Sequence, residues 1–388
     1  MTDKKNPLSA TYRLGFLGAG QLARMSGLQA FNYGIQVGVF SNRTETEPVQ
    51  LITPHSATGS FESVEDLAAF AETCDVLTLE NEFIDSKILK KVQEKSGTPI
   101  FPSPNSFSLI ENKLIEKQTF EDAGIPVAPY ALMESEKDLE SFGDEHGWPY
   151  MLKSSKGGYD GYGNEIVTEL SEAQEAVSRL GGKEGHGVIA EALVDFTREL
   201  AVQVARNETG QVVYPCCETV QKDHICVAVQ SPAPVNDEIQ KEAQRLALKA
   251  TEAIDGTGIF AFEFFLKRDG KLVLNESAPR PHNSGHYTIE GCVTSQFENH
   301  VRAVMGLPLG STELRKPAVV MINLLGEKER KTQVDYAGEA LRTDDGHLHI
   351  YGKQESRNGR KMGHYTLLGN ELKKTYDKAQ KVTEEIRI

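Results

Sequence analysis

The chain has 388 residues, which is long enough for two or three packed domains. Its 56 Asp and Glu residues outnumber its 42 Lys and Arg residues, and the net charge of −14 argues against nucleic acid as a partner held by general charge attraction. A local pocket of basic side chains and glycine amides could still hold a small phosphorylated ligand.

The sequence also gives no sign of a membrane or secreted protein. Its five cysteines form no CxxC pair, and the first ten residues lack the apolar core of a signal peptide. No stretch approaches the length of about 18 apolar residues that a membrane span needs. We therefore expect a cytoplasmic protein with reduced thiols.

Residues 12–105 alternate short apolar runs with amphipathic stretches, beginning with YRLGFLG and ending with SKILKKVQEKSG. This alternation is typical of βαβ units, so we predict an α/β, Rossmann-like domain with a parallel sheet over residues 1–105. Ser63, followed by Asp66, predicts a helix N-cap. The Pro- and Ser-rich segment 101–108 is interpreted as a linker.

Beyond the linker, strand-like runs joined by Gly or Asp-Gly turns become frequent, from YMLKSS to KLVLNES. They predict an α+β domain with antiparallel strands over residues 106–316. A last segment, residues 317–388, has strands of its own and is predicted to be a small, mainly β domain.

The stretch GFLGAGQLARM contains a possible anion site. Gly18, Gly20 and Ala23 match the GxGxxA pattern of a strand-turn-helix whose backbone amides can receive an anion. Ser41 and Asn42 follow the second strand, where a dehydrogenase would need an acidic residue, and this argues against NAD. An anionic substrate and a purely structural turn both stay open.

A glycine-rich loop, GGYDGYG, follows Lys153 and lies between two strand-like runs. It is therefore not a Walker loop, which would join a strand to a helix and end in GK[ST]. Glycines let consecutive amides approach phosphate oxygens, and such a hairpin loop can close over a nucleotide. A mobile surface hairpin without a ligand is the alternative.

Glu263 and Glu276 form the clearest candidate metal site. If Asp269 and Gly270 are the two central residues of a hairpin turn, these glutamates are direct cross-strand partners. Opposed like charges destabilise a sheet unless a cation bridges them, and carboxylates near a phosphate loop suit Mg²⁺. Asn275 would need a bulge to join them. Two solvated glutamates are the alternative, although the run GIFAFEFFL is very apolar for an exposed strand.

Two further segments are candidate anion sites. In APRPHNSGHY, Arg280 offers a planar fork of donors beside His282 and Asn283, although a polar loop with an N-cap at Ser284 is possible. A zinc pair of His282 and His286 is rejected, because no third ligand is evident. The second segment is a basic cluster that could be a phosphate clamp or a solvated loop. Its members are Lys353, Arg357, Arg360 and Lys361.

Taken together, these motifs resemble one family, the 5-(carboxyamino)imidazole ribonucleotide synthetases, which are ATP-grasp ligases of bacterial and fungal purine synthesis. The matching blocks occur in the family's order over nearly the whole chain: GFLGAGQLARM, LTLENE, GGYDGYGN, AFEFF, LNESAPRPHNSGHY, HLHIYGK and GRKMGH. The resemblance implies a central ATP-grasp domain with a flap subdomain at about 126–195. It also implies a homodimer.

The implied reaction uses Mg²⁺, ATP and bicarbonate, without biotin, to carboxylate the exocyclic amine of 5-aminoimidazole ribonucleotide. By similarity, ATP is held by Lys113, Lys153, Gly158, Tyr159, Asp160, Gly161, Tyr162, Gly163, Asn164, Glu191, Ala192, Leu193, Val194, Glu199, Gln221, Asn275 and Glu276. Glu263 and Glu276 would hold Mg²⁺, and the catalytic set would be Asp160, Arg280, His282 and Asn283. The ribonucleotide would contact Gln21, Leu22, Glu80, Tyr159, Asp160, Lys353 and Arg360.

Two departures from the family pattern are Lys113, where Arg is frequent, and Gln221, where His is frequent. Rival interpretations keep the fold but change the substrates, as in a formate-using glycinamide ribonucleotide transformylase or a biotin carboxylase. HLHIYGK and GRKMGH argue against both. A nicotinamide-dependent oxidoreductase and a nucleotide sensor without turnover are the rivals of other classes.

Overall fold

The structure is a computed structural model that describes residues 5–157, 163–181 and 187–388. Its N-terminal strands are β1 (Arg13–Leu17), β2 (Gln36–Ser41), β3 (His55–Thr58), β4 (Val76–Leu79) and β5 (Ile100–Phe101). They form a parallel sheet in the order β3-β2-β1-β4-β5. The helices of this part are α1 (Gln21–Asn32), α2 (Val64–Ala71) and α3 (Ser86–Ser96), and a 3-10 turn spans Pro48–Leu51.

Local sequence explains these elements. Strand β4 is buried at every position, as expected for a parallel strand with helices on both faces of its sheet. Ser63 caps α2 by accepting a hydrogen bond from the amide of Asp66 at 3.1 Å, as predicted. The predicted doubly wound N-terminal fold is therefore confirmed.

The interpretation of residues 101–108 as a linker was wrong. Strand β5 ends at Phe101, and a short helix, α4 (Pro104–Ser108), follows at once. Ser103 caps this helix by accepting from the amide of Ser106 at 3.1 Å, and Pro104 supplies the fixed φ angle of a first helical residue. Phe107 then anchors the helix in the core. The Ser-Pro pair that suggested a break is a helix start.

The next part of the chain forms a small antiparallel sheet. Its strands are β6 (Tyr130–Met133), β7 (Tyr150–Ser154), β8 (Asn164–Val167) and β9 (Val188–Ala192). Their order is β6-β9-β7-β8. The accompanying helices are α5 (Lys113–Asp122), α6 (Glu136–His146) and α7 (Leu170–Leu180).

A larger sheet follows. Its strands up to residue 278 are β10 (Phe196–Asn207), β11 (Gly210–Val213), β12 (Cys217–Lys222), β13 (Ile225–Ser231), β14 (Gly258–Lys267) and β15 (Leu272–Ala278). Helices α8 (Asp237–Ala253), α9 (Thr288–Gly291) and α10 (Gln296–Val304) belong to the same region, with a 3-10 turn at Asn283–Gly285.

The C-terminal segment extends this large sheet. It contains β16 (Ala318–Leu325), β17 (Arg330–Lys331), β18 (Gly346–Ile350), β19 (Glu355–Ser356), β20 (Lys361–Gly369), α11 (Gly338–Arg342) and α12 (Leu372–Thr383). The full order is β15-β14-β10-β12-β13-β16-β20-β18, with β11 beside β10, while β17 pairs with β19. The C-terminal strands therefore continue the central sheet by way of the β13–β16 pairing.

One apolar cluster connects the N-terminal and central parts, because it includes Leu77 and Phe107 as well as Phe120 and Phe262.

The predicted domain boundaries at 105/106 and 316/317 stay predictions. Within the described residues, no helix combines the length and the apolar character that crossing a bilayer requires.

Candidate functional site

A cavity of about 350 Å³ lies among the central strands; we call it the first cavity. It brings together these predicted residues: Lys113, Lys153, Asn164, Glu191, Ala192, Leu193, Val194, Glu199, Gln221, Glu263, Asn275, Glu276, His282 and Asn283. Its lining also includes Lys361, a member of the predicted basic cluster. The lining residues that were not predicted as site residues are Met151, Ile166, Phe196, His224, Cys226, Phe265 and Ser284. Gly158, Tyr159, Asp160, Gly161 and Tyr162 lie outside the described residues.

The hairpin of β14 and β15 places Glu263 directly opposite Glu276, as predicted. The predicted two-residue turn, however, was wrong. Lys267 pairs with Lys271 around a three-residue loop that ends at Gly270, whose φ of +81° is left-handed. A β-bulge between the turn and the glutamates shifts the register by one residue and restores the predicted pairing.

This bulge also decides the position of Asn275. Phe264 pairs with Leu274 and Glu263 with Glu276, so Asn275 is the extra residue of β15. It lines the first cavity together with both glutamates. Two carboxylates and an amide oxygen are hard oxygen ligands, and opposed carboxylates about 5 Å apart at Cβ repel each other without a cation. These residues therefore fit a magnesium ion.

Basic side chains compensate the carboxylate of Glu276. Lys113 Nζ lies 3.6 Å from Glu276 Oε2. Burial alone would raise the pKa of Glu276, but Lys113 and Lys153 outweigh it, so this pKa is lowered and the group is ionised at neutral pH. The side chain of Glu276 is 45% exposed, so water screens part of this attraction.

A buried three-charge cluster holds Lys153 in place. Its Nζ lies 2.8 Å from Glu191 Oε2, and Lys117 Nζ lies 3.0 Å from the same oxygen. All three residues are buried. Burial lowers the pKa of Lys117, an effect that Glu191 partly offsets. Lys117 was missed, although its i,i+4 spacing from Lys113 on α5 places both lysines on one helix face.

The other end of the first cavity is apolar. Phe196 and Phe265 stack with ring centroids 4.5 Å apart, and Met151 and Ile166 contribute aliphatic surface. Such a surface suits the flat face of a nucleobase. Leu193 lines the same cavity and is 45% exposed. The pattern of apolar residues in β7 and β8 did not predict that these side chains would form one apolar surface.

Polar groups lie beside the aromatic pair, since Glu199 is the cross-strand partner of Phe265. Burial raises the pKa of Glu199, while a hydrogen bond from Gln221 opposes the rise. Asp223 and His224 have left-handed φ angles of 51° and 63° in the turn between β12 and β13. This turn brings His224 to the first cavity, three residues after the position where the family often has His. Left-handed turn geometry at Asp-His is difficult to predict from sequence.

Only part of the 280–284 segment lines the first cavity. Arg280 Nε lies 2.8 Å from Glu82 Oε1, and Arg280 is not among the residues that line the first cavity. Asn283 and Asn323 exchange two side-chain amide hydrogen bonds of 2.9 and 2.7 Å. The C-terminal strand β16 therefore orients the Asn283 amide. Asn323 was missed because its partner is 40 residues away in sequence.

A second cavity of about 520 Å³ lies between residues 43–48 and the C-terminal segment. Predicted residues Lys353 and Arg360 line it, together with Arg43 and Arg357. Burial lowers the pKa of Arg360, and the neighbouring Arg357 adds to this effect. Arg360 lines the second cavity and the next residue, Lys361, lines the first. Two consecutive residues at the start of β20 therefore contribute to different cavities.

At the start of α1, the backbone amide of Leu22 binds a carboxylate of the same chain, that of Glu80. Glu80 Oε1 accepts a hydrogen bond from the Leu22 amide at 3.3 Å. A Cβ on Gly20 would lie 2.5 Å from the same oxygen, so glycine is required for this approach. Burial raises the pKa of Glu80 to about 7, against the opposing effect of Arg280. The GxGxxA helix start thus binds Glu80, and Gln21 and Leu22 lie beside it.

The fold and the first cavity define the class of protein: an ATP-grasp ligase that uses ATP. Family profiles agree over three consecutive parts of the chain. The ribonucleotide synthetase preATP-grasp domain matches residues 11–111, the ATP-grasp domain residues 118–297, and the phosphoribosylaminoimidazole carboxylase C-terminal domain residues 319–378.

The chain belongs to the N5-carboxyaminoimidazole ribonucleotide synthetase family. It is 36% identical over 372 residues to the N5-carboxyaminoimidazole ribonucleotide synthase of Mycobacterium bovis, covering 95% of this chain and 86% of that protein. An Aspergillus clavatus N5-carboxyaminoimidazole synthase, solved with ADP and 5-aminoimidazole ribonucleotide, has a TM-score of 0.87 and 36% identity, with 97% and 99% of the two chains covered. The predicted family and the predicted fold are confirmed.

The fungal relatives are longer. Phosphoribosylaminoimidazole carboxylase of Ogataea methanolica is 42% identical over 367 residues, which cover 92% of this chain and 67% of that protein. The match to the corresponding protein of Candida glabrata covers 64% of that protein. The chain therefore spans about two thirds of these relatives.

Proposed function

We propose that this protein carboxylates the exocyclic amine of 5-aminoimidazole ribonucleotide with ATP and bicarbonate, in purine biosynthesis. The observation that carries the proposal is the opposed pair of Glu263 and Glu276 in a cavity with an apolar end and two fixed lysines. A second, basic cavity is lined by Arg360, and the next residue in the sequence, Lys361, lines the first cavity. Family membership selects the acceptor.

ATP would lie in the first cavity with its base between the aromatic pair and the residues Glu191 to Val194. Lys113 and Lys153 would meet the phosphates, and Glu199 the ribose hydroxyls. The carboxylate of Glu191 is engaged by Lys117 and Lys153, so we assign it to holding the lysines. Residues 158–164 would close over the phosphates and exclude water.

Glu263, Glu276 and Asn275 would hold Mg²⁺, which neutralises phosphate charge when bound. Bicarbonate is a poor electrophile until it is phosphorylated. One of its oxygens attacks the γ-phosphorus, ADP leaves, and carboxyphosphate forms. The amine then forms a bond to the carboxyl carbon, phosphate leaves with the bonding pair, and the amine loses a proton. We assign Asp160 to orienting the amine or accepting that proton.

Arg280, His282 and Asn283 would fix the bicarbonate. The side chains of Arg280 and Glu82 are paired in the structure. Binding bicarbonate would therefore require the Arg280 guanidinium group to move from Glu82 toward the anion. The ribonucleotide would extend toward the second cavity, where Lys353 and Arg360 suit its phosphate. Gln21, Leu22 and Glu80, with Tyr159 and Asp160, would contact its base and sugar.

The test is ADP release from Mg-ATP and bicarbonate, with and without added 5-aminoimidazole ribonucleotide. Strong stimulation by the ribonucleotide supports the proposal. If ATP binds but the ribonucleotide has no effect, the acceptor is a different amine or the protein is a sensor without turnover. Omitting bicarbonate is the control that separates carboxylation from simple ATP hydrolysis.

We also propose a cytoplasmic homodimer that works without biotin, as the resemblance implies. All five cysteines are buried and unpaired, which suits a reducing compartment. Sedimentation analysis at several protein concentrations tests the dimer, and activity in the presence of avidin tests the independence from biotin.

A further inference from the structure

Glu116, which was not predicted as a site residue, holds the strand that carries a proposed metal ligand. One of its carboxyl oxygens, Oε1, accepts from the Ser277 amide at 2.8 Å and from the Ser277 hydroxyl at 2.6 Å. Ser277 directly follows Glu276, whose carboxylate would hold Mg²⁺. Only 4% of Glu116 is exposed, so these hydrogen bonds are shielded from competing water. Glu116 therefore fixes the backbone immediately after the metal ligand.

The same face of helix α5 contacts the two preceding residues of β15. Lys113 Nζ lies 3.6 Å from Glu276 Oε2, and Lys117 Nζ lies 3.5 Å from the carbonyl oxygen of Asn275. Lys113, Glu116 and Lys117 are neighbours because residues three and four apart share one face of a helix. One side of α5 therefore holds three consecutive residues of β15.

Helix α5 is itself fixed at both ends. Asn112 caps its start by accepting a hydrogen bond from the Leu114 amide at 2.9 Å. Near its other end, the ring of Phe120 packs edge-on against that of Phe262, with centroids 6.1 Å apart. Both rings are buried, and Phe262 directly precedes Glu263 in β14. The helix is thus anchored on the strand that carries the opposed glutamate.

The strand is irregular at the point that α5 holds. Asn275 is the extra residue of the β-bulge, and a bulge leaves its residue out of the ladder that otherwise directs side chains to alternate faces. Two proposed metal ligands, Asn275 and Glu276, lie at this interruption. The hydrogen bonds from Ser277 to Glu116 fix the chain where the ladder does so less well.

We propose that Glu116 is a positioning residue for the magnesium site. By holding Ser277, it fixes the bulge that directs Asn275 and Glu276 toward the first cavity. The proposal rests on the proposed function for the identity of the metal-nucleotide complex. Among the described residues, Glu116 is not one that lines the first cavity, so it acts through the strand and not as a ligand. An amide of the same shape should replace it, because the Gln side-chain oxygen also accepts two hydrogen bonds.

The first test measures metal binding rather than turnover. Mn²⁺ takes the place of Mg²⁺, the enzyme is in excess over a non-hydrolysable ATP analogue, and electron paramagnetic resonance of free Mn²⁺ gives the dissociation constant. Glu116→Ala should weaken Mn²⁺ binding about tenfold, because the group that orients two metal ligands is lost. Glu116→Gln should bind Mn²⁺ as the wild type does.

The matched control is Asp138→Ala. Oδ2 of Asp138 accepts from the amide and from the hydroxyl of Ser135, each at 2.8 Å, so the same pair of hydrogen bonds occurs at the start of α6. This variant should bind Mn²⁺ normally. The proposal fails if folded Glu116→Ala also does so, since Glu116 would then serve stability alone. It fails too if Glu116→Gln is as weak as Glu116→Ala, because charge and not position would be the cause.

Ser277→Ala is a second variant that leaves the buried carboxyl group in place. It removes the hydroxyl bond and keeps the amide bond, so Mn²⁺ binding should weaken by a smaller factor, about threefold. Combined with Glu116→Ala, it should have no further effect, because both changes break the same contact. Normal Mn²⁺ binding by Ser277→Ala, or additive losses in the double variant, would overturn the proposal even if Glu116→Ala does not fold.

The metal measurement separates this proposal from the proposed function, because Mn²⁺ binding requires no ribonucleotide. If the ribonucleotide does not stimulate ADP release but Glu116→Ala binds Mn²⁺ weakly, the acceptor is wrong and the positioning role stands. Strong stimulation of the wild type together with normal Mn²⁺ binding by Glu116→Ala rejects the positioning role alone.

Discussion

The two cavities differ in how their charges are fixed. At the first cavity, the lining residues Glu191 and Lys153 and the adjacent Lys117 are buried on strands and a helix and form contacts of 2.8 to 3.0 Å. In the second cavity, Lys353 and Arg360 come from the segment between β18 and β20 and face loop residues 43–48. Rigid strands preorganise charge for phosphoryl transfer, whereas loop charges suit a substrate that must enter and leave.

The largest effect expected in this comparison concerns the metal pair. Glu276→Ala should lower Mg²⁺-dependent ADP formation by about a thousandfold, because one of two opposed oxygen ligands is removed. ADP release at saturating Mg²⁺ measures this. Glu94→Ala, on the exposed face of α3, is the control and should have full activity. Activity of Glu276→Ala near the wild-type level would remove the metal assignment.

Next in size is the buried charge cluster. Glu191→Gln leaves Lys117 and Lys153 buried without their shared counter-ion, and should lower the free energy of unfolding by about 3 kcal/mol. Urea denaturation measures the change. ATP phosphates would restore a negative charge, so ATP should raise the melting temperature of the variant more than that of the wild type.

The control for this experiment is Glu175→Gln. Glu175 and Arg179 form an exposed i,i+4 pair at 3.5 Å, and its loss should change stability by less than about 0.5 kcal/mol. Equal small losses in both variants would show that the buried cluster is not a stabilising anchor.

The same contrast explains what sequence could predict. The Glu263–Glu276 pairing was predicted from an assumed two-residue turn at Asp269-Gly270. It was correct although the turn was one residue longer, because the bulge at Asn275 compensated. Bulges and three-residue turns leave little trace in the pattern of apolar residues. The parallel N-terminal sheet was likewise predictable, since each of its units is local in sequence.

Contacts over long sequence separations were not predictable. Asn323 orients Asn283 across 40 residues, and the extension of the central sheet by β16 and β20 has no local signal. Glu80 at the start of α1 is a further example, because a GxGxxA helix start is the same in sequence whether it binds a ligand or a carboxylate of its own chain. The basic cluster at Lys353, Arg357 and Arg360 was visible in the sequence, but only the family resemblance assigned Lys353 and Arg360 to the ribonucleotide.

A third experiment tests the second cavity separately. Lys353→Ala should raise KM for 5-aminoimidazole ribonucleotide about tenfold, with KM for ATP unchanged, because one phosphate contact is lost. Steady-state kinetics with each substrate varied in turn measures both constants. Lys316→Ala is the control, since Lys316 pairs with Asp345 and lines neither cavity. A parallel rise in KM for ATP would mean that the two cavities are not independent.

The smallest expected effect concerns Glu80, which is within electrostatic reach of Arg280 and of Glu47 in the second cavity. Its pKa is raised from 4.5 to about 7, so the folded protein keeps a proton that the unfolded chain releases near pH 4.5. Stability from this group is therefore fully present below about pH 4.5 and is lost as pH rises to about 7.

Glu80→Gln cannot lose this proton, so the variant should lack that decline. Above pH 7 it should be more stable than the wild type by about 1 kcal/mol, a value reduced from the full shift because Glu80 is only partly buried. Urea midpoints at pH 5 and pH 8 measure the difference. If the variant and the wild type change in parallel with pH, Glu80 is ionised throughout, and a carboxylate at the start of α1 is stabilised by the helix amides.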